Sequence, residues 1–235
     1  MSLSVVVPML NEAAALPALL AHLRQLQADG AEVLLVDGGS TDDSAMLARS
    51  AGFTVVEAER GRARQMNAGA RRTHGDVLLF LHADTRLPDG AVQQVMQALA
   101  AHPGAQAAPP HGRVPVWGRF DVHITGQSHW LRVVARMMNL RSRLTGIATG
   151  DQAMFVRRSV FDACGGFPEQ PLMEDIELSR RLKRLSRPAC LRARATTSGR
   201  RWESRGVWRT IVLMWRLRLA YWLGASAESI AKAYR

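Results

Sequence analysis

Val33-Leu34-Leu35-Val36-Asp37-Gly38-Gly39-Ser40-Thr41-Asp42 is an unbroken apolar run that ends in an acid, two glycines and a polar turn. The pattern occurs twice more nearby. Ser4-Val5-Val6-Val7-Pro8 leads to Asn11-Glu12, and Val77-Leu78-Leu79-Phe80-Leu81 leads to His82-Ala83-Asp84. Apolar runs without polar alternation suit strands buried on both faces. Strand candidates at 3–9, 32–37, 53–57 and 76–81 are interleaved with Ala/Leu-rich helical stretches at 13–29, 42–50 and 62–73, and a further helix is expected at 89–101. This alternation predicts βαβ units in a mainly parallel α/β sheet with helices on both faces. Such a sheet gathers the three polar tips at one carboxyl edge, where open α/β sheets bind ligands.

Beyond this half, residues 102–115 hold four prolines and two glycines, which predicts a loop or lid. Strands follow at 116–124, 152–157 and 189–195, helices at 128–140 and 174–186, and a helical tail from 206 to 234. The expected organisation is a nucleotide-binding half over 1–101, an acceptor-binding and catalytic half over 102–199, and a basic amphipathic helical tail over 200–235.

A chain of 235 residues, 47% hydrophobic, suits one large domain. No window reaches 18 uncharged apolar residues, so no spanning helix is expected, and no secretion signal is visible. Cys164 and Cys190 lack metal-ligand spacing and read as reduced thiols, which fits a cytoplasmic compartment. Residues 1–110 carry a net charge of −3 and residues 111–235 a net +14, almost all from arginine. Arginine binds phosphate through a planar fork, so the second half calls for an anionic partner.

Asp37, at a strand end before Gly38 and Gly39, can accept hydrogen bonds from a nucleobase or ribose, and the glycines let the backbone approach a ligand. Asp42 and Asp43 read as turn and cap residues. Gly61-Arg62-Ala63-Arg64-Gln65-Met66-Asn67-Ala68-Gly69 opens a helix, a place that attracts phosphate; Arg71 and Arg72 read as a solvated face. His82 and Asp84, two apart at a strand end, can converge on Mn²⁺ or, with phosphate oxygens, Mg²⁺. Glu174-Asp175 heads an amphipathic helix. One of the two carboxylates is accounted for by the helix dipole, and the other suits a general base.

Together these segments resemble the family 2 glycosyltransferases of the GT-A fold. Val5-Val6-Val7-Pro8-Met9-Leu10-Asn11-Glu12, Val36 to Asp42, Asn67-x-Gly69, His82-Ala83-Asp84 and Glu174-Asp175 match that family's elements in order. The resemblance implies inverting, metal-assisted transfer from a nucleoside-diphosphate sugar to a hydroxyl acceptor. UDP is the first expectation, with GDP and dTDP open. It implies that Pro8, Asn11, Glu12, Asp37, Gly38, Gly39, Arg62, Asn67, His82, Ala83 and Asp84 bind the nucleotide sugar. Asp84 would hold a Mn²⁺ or Mg²⁺ ion with His82, and Asp175, beside Glu174, would deprotonate the acceptor. Gly61-Arg62-Ala63, Gln65-Met66-Asn67, Leu81 to Thr85, Gly150-Asp151-Gln152 and Met173-Glu174-Asp175 are similar to a bacterial subgroup labelled arsenosugar-biosynthesis-like, in which His replaces the first Asp of the metal motif. Asp151 and Gln152 are then acceptor-side residues. Ser198-Gly199-Arg200-Arg201-Trp202 resembles the Gln-x-x-Arg-Trp motif of processive synthases, with Ser198 in place of Gln, and puts Arg201 and Trp202 near the diphosphate or acceptor. Asp121 is a further candidate facing the sugar.

In the tail, Trp208, Val212, Trp215, Leu219 and Trp222 recur at helical spacing between arginines. The stripe reads first as a face packed on the domain or a second subunit. The alternative is contact of residues 206–224 with an anionic membrane, peripheral at the inner face. Two other functions fit the residues less well. A sugar-phosphate nucleotidyltransferase would need a Gly-rich phosphate loop after the first strand, which Pro8 to Glu12 lacks. A basic module for membrane or nucleic acid would leave Asp37, Asp84 and Asp175 without a purpose, so no nucleic-acid partner is expected.

Overall fold

The computed structural model describes residues 1–100 and 114–234; most of the expected 102–115 loop lies outside them. The first half contains β1 (Leu3–Met9), α1 (Leu16–Ala28), β2 (Glu32–Asp37), α2 (Ser44–Ser50), β3 (Thr54–Glu57), α3 (Arg62–Arg72), β4 (Val77–Phe80), β5 (Thr85–Arg86) and α4 (Ala91–Leu99). The second half adds β6 (Trp117–Thr125), α5 (Trp130–Thr145), a 3₁₀ turn (Gly150–Gln152), β7 (Phe155–Arg157), α6 (Arg158–Ala163), α7 (Glu174–Leu182) and β8 (Ala189–Ser198). Three helices end the chain: α8 (Arg200–Ser204), α9 (Val207–Trp222) and α10 (Ala227–Tyr234).

One eight-stranded sheet runs in the order β3-β2-β1-β4-β7-β6-β8-β5. Strands β3, β2, β1 and β4 are parallel, β7 is antiparallel to both β4 and β6, β8 is parallel to β6, and β5 is antiparallel to β8. The sheet is mainly parallel, as expected. The chain winds outward from β1 through β2 to β3, then returns to the other side of β1 as β4. The switch point between β1 and β4 opens a crevice at their carboxyl ends.

Successive strand residues face opposite sides, and the core divides accordingly. Val5, Val7, Leu35 and Leu79 pack with Leu16, Leu19 and Leu23 of α1 and Val95 of α4. Val6, Leu34, Val36, Leu78 and Phe80 pack with Ala63 and Met66 of α3 and with Leu178 and Leu182 of α7. Each fully buried side chain of this size contributes about 1.5–3 kcal/mol.

The tail departs from expectation. It breaks into α9 and α10 at Gly224 (φ +98°). It docks through Leu213, Met214, Leu217, Tyr221 and Ile230 against Leu172, Met173 and Ile176. Only Trp208 of the tryptophan stripe meets another ring of the domain, that of Trp130 among the described residues; Trp215 is 64% and Trp222 78% exposed. The reason is that the opposite face of α9 is also apolar and takes the docking contacts.

Candidate active site

The crevice is framed by loops tied to one another. Asn11 adopts a left-handed conformation (φ 54°). Its N–H donates to Ser40 Oγ at 2.9 Å and its Oδ1 accepts the Thr41 N–H at 2.8 Å, joining the tip of β1 to that of β2. Gln65, reaching from α3, donates Nε2 to the carbonyls of Met9 and Val36 at 2.8 and 2.9 Å. A Cβ on Gly38 would lie 2.8 Å from Gln65 Cδ, so the close approach of α3 requires glycine there. Gly39 supplies the positive φ (+84°) of the turn. Asp37 is buried, and its carboxylate accepts the N–H groups of Gly39 and Ser40 at 3.1 and 2.9 Å and the Ser40 hydroxyl at 2.5 Å. In this structure Asp37 organises its own turn and does not line the crevice. Asp42 holds Ala13 and Ser44 by their N–H groups, the turn role expected of it.

A cavity of about 410 Å³ fills the crevice. Of the residues expected to hold the donor, Pro8, Glu12, Arg62, His82, Ala83 and Asp84 line it, joined by Asp151 and Glu174. Gln65, from the helix-opening stretch singled out in the sequence, also lines it, as does Tyr234, which the sequence reading missed. Tyr234 arrives from α10, under the Arg205 guanidinium 5.2 Å from its ring, so its position follows from tail docking and has no local signal.

Asp175 adjoins this cavity. It shares a small void of about 10 Å³ with Arg62, His82, Gly150 and Glu174, three of which also face the large cavity. Met173, in a left-handed conformation (φ 67°), turns the chain into α7. Asp175 Oδ2 accepts the Gly150 N–H at 2.9 Å and Oδ1 the Ile176 N–H at 2.7 Å. Glu174 is 3% exposed and faces Arg62 Nη1 at 3.4 Å. Burial first, and then the Asp175 carboxylate, push the Glu174 pKa up, while Arg62 opposes the rise. Asp84 lines the large cavity and Asp175 does not; Arg62, His82 and Glu174 stand between the cavity and the void that Asp175 lines.

Other expected contacts fall elsewhere. Asn67 is buried and spends both ends of its amide on Phe167: Nδ2 donates to the carbonyl at 2.8 Å and Oδ1 accepts the N–H at 2.9 Å. Gln152 is fully buried, donating to Ser142 Oγ at 3.1 Å and capping the 3₁₀ turn with Thr149. It is no acceptor contact, because its amide is consumed inside the protein. Trp202 packs against the cluster of Val122, Leu131 and Met138. Asp121 is clamped between Arg119 and Arg143. Arg201 lies in α8, and its side chain is outside the described residues.

For a metal the donor set is partial. The His82 imidazole presses on Gly150, its Nε2 is buried without a hydrogen-bond partner, and its Nδ1 lies 3.5 Å from Asp151 Oδ1. Among the described residues no three His, Cys, Asp or Glu side chains form a metal cage. Asp84 fits an ion that takes its remaining ligands from a diphosphate and water, as Mg²⁺ and Mn²⁺ do; His82 lines the same cavity.

Residues 4–165 match the family model described as glycosyl transferase family 2. The chain belongs to that family. Among related proteins, an uncharacterized glycosyltransferase of Haemophilus influenzae is 35% identical over 43% of this chain and 35% of its own length. An undecaprenyl-phosphate 4-deoxy-4-formamido-L-arabinose transferase of Sodalis glossinidius is 29% identical over 68% of this chain and 50% of its own. The chain thus spans about half or less of these relatives' lengths. Among solved structures, TarS of S. aureus in complex with UDP has a TM-score of 0.64 at 19% identity, covering 84% of this chain and 60% of that one. The mannosyltransferase PcManGT of Pyrobaculum calidifontis, in complex with GDP-Man and Mn²⁺, has a TM-score of 0.60 at 20% identity, covering 93% and 60%. The fold is the GT-A fold of these solved structures.

Proposed function

We propose that the crevice binds a nucleoside-diphosphate sugar, UDP-linked as first choice, and transfers the sugar to an acceptor hydroxyl with inversion. The observation that carries this is the meeting of Asp84 and Arg62 in a cavity at the β1/β4 switch point, with Asp175 in the adjoining void. Pro8 and Glu12 bind the nucleoside side, and Arg62 faces the diphosphate. Asp175, its orientation held by two backbone N–H groups, takes the acceptor hydroxyl's proton. The acceptor oxygen then bonds to the anomeric carbon from the face opposite the diphosphate, and the anomeric C–O bond breaks with its electrons leaving on the diphosphate oxygen. Asp84 would hold the divalent ion, which when bound neutralises charge on the leaving diphosphate. The UDP and the GDP-Man with Mn²⁺ bound by structural neighbours support the donor class without fixing the base.

The test is a thermal-shift screen of nucleoside diphosphates with Mn²⁺ or Mg²⁺, in wild type and Asp84→Ala. A ligand present at 100 times its dissociation constant adds about 2.7 kcal/mol. A base-selective, metal-dependent shift that Asp84→Ala diminishes is expected. Equal shifts in both proteins would move the metal elsewhere.

A second part of the reading is location. No helix among the described residues is long and apolar enough to cross a membrane. The exposed stripe of α9 is joined by one on α5, where Val133, Met137, Leu140 and Leu144 are all exposed. The two helices meet at Trp130 and Trp208, whose rings are 4.5 Å apart. Exposed arginines 132, 136, 209 and 216 flank these stripes. This combination supports a cytoplasmic enzyme seated on an anionic membrane face.

A further inference from the structure

Asp175 has two neighbours that the transfer reading does not use. Arg141 projects from α5 and Arg218 from α9, and both lie within the electrostatic reach of Asp175 and of each other. Both are partly buried. Nε and Nη2 of Arg141 are buried with no hydrogen-bond partner. Among the described residues neither arginine forms an ion pair. The two nearby arginines are already engaged: Arg119 and Arg143 hold Asp121 between them. Two carboxylates lie in reach: Asp175, each of whose oxygens already accepts a backbone N–H, and, on the Arg218 side, Asp151, which also faces His82 Nδ1 at 3.5 Å. Burial and the neighbouring Arg218 charge lower the Arg141 pKa to about 10, with Asp175 opposing.

An unpaired buried donor costs about 1–3 kcal/mol, more when it is charged, and two like charges held side by side add to that. The arrangement is relieved by an anion that accepts from both planar forks at once. A phosphate monoester offers three free oxygens for this, against two for a carboxylate. Neither arginine lines the cavity assigned to the donor, which has its own guanidinium in Arg62.

We infer that Arg141 and Arg218 form an anion subsite beside Asp175 that binds a phosphate group carried by the acceptor. This deepens the transferase reading and rests on it. The phosphate has two possible sources, a soluble phosphomonoester or a lipid headgroup, since α5 and α9 also carry the exposed apolar stripes.

The experiment measures binding of three probes to the full chain: glycerol 3-phosphate by calorimetry, phosphatidylcholine vesicles with and without phosphatidic acid by sedimentation, and UDP with Mn²⁺ by calorimetry. Each is run on wild type, Arg141→Gln, Arg218→Gln and Arg141→Lys, with thermal unfolding to confirm folding. The lysine variant keeps the charge and loses the fork, so it carries the test if the glutamine variant fails to fold. Expected is a loss of roughly tenfold or more in affinity for one phosphate probe in each variant, with UDP affinity unchanged. Loss with glycerol 3-phosphate marks a soluble acceptor, and loss confined to phosphatidic acid vesicles marks a lipid one. Unchanged affinity for both phosphate probes, or loss of UDP binding in their place, overturns the subsite. Absence of any nucleotide binding in wild type, with phosphate binding intact, would remove the transferase reading and leave the subsite standing.

Discussion

Asp175 is oriented by the N–H groups of Gly150 and Ile176, one on each oxygen, and an asparagine keeps one of these bonds through its single acceptor oxygen while being unable to take a proton. Asp175→Asn is therefore expected to lower kcat by about 10²–10⁴-fold with donor affinity unchanged, measured by turnover beside calorimetry with UDP. Retained turnover would remove Asp175 from the base role. Glu174 makes a separate prediction about stability. Its pKa rises above the ordinary 4.5, through burial first and Asp175 second. A carboxyl that titrates higher folded than unfolded holds more protons in the folded state, so stability falls as pH rises from the unfolded value through the folded one. Glu174→Gln carries no charge in either state. Urea midpoints measured from acid to neutral pH should show the variant gaining on wild type over that window. A flat difference would mean that Arg62 offsets the whole penalty. Asp84 and Arg62, which line the cavity, were legible in the sequence from their places at a strand end and a helix start; the same signal pointed to Asp37, whose carboxylate is spent on its own turn. Asn67 and Gln152 were not legible: an amide looks the same in sequence whether it meets a ligand or, as here, the Phe167 backbone or Ser142. Arg141 and Arg218 carry no local signal, since only the packing of α5 beside α9 brings them to Asp175.

At the scale of elements, the position of α3 decides where Arg62 stands. The helix lies so close to the sheet at Gly69 that a Cβ there would overlap Val6 Cγ1 and sit 2.9 Å from Val36 Cγ2. Two effects compete in Gly69→Ala. Alanine favours the helix by about 0.8–1.0 kcal/mol, while overpacking a filled core costs about 1–3 kcal/mol. The clash is with side chains at the centre of buried strands, which have no room to give, so the second effect wins. The variant should unfold at lower urea concentration and bind UDP more weakly, because α3 carries Arg62 and Gln65 with it. A stabilised variant would show that the helix can lift without cost. The strands and helices of the first half were readable because both-face burial leaves β1, β2 and β4 almost free of polar residues. The two-residue β5 and the short α6 were missed: elements this short contain fewer than two periods of any pattern. Their positions come from partners, as when Thr85 meets Thr197 of β8 by hydroxyls 3.1 Å apart.

For the whole molecule, the question is what covers the faces of α5 and α9. An apolar stripe flanked by arginines gains in two ways at an anionic bilayer: tryptophan rings enter the interface, and each arginine near the surface adds about 1 kcal/mol. The second gain is screened beyond roughly 8 Å at physiological salt. The chain is therefore expected to sediment with phosphatidylserine-containing vesicles, with a blue shift in tryptophan emission, and to be released as salt rises. Replacing Arg209 and Arg216 by Gln together should lower the partition by about 2 kcal/mol, roughly 30-fold. Replacing Trp215 and Trp222 by Ser should diminish the blue shift, leaving Trp208 to report, while keeping some salt-sensitive binding. Neither pair touches the crevice, so UDP affinity in solution should be unchanged in both variants. The competing occupant is a second copy of the chain. In that case wild type would be a dimer without lipid, the tryptophan variant a monomer, and vesicles would bind neither. Analytical ultracentrifugation run beside the sedimentation assay separates the outcomes, because a membrane face depends on the charge of the lipid and a dimer face on the concentration of protein.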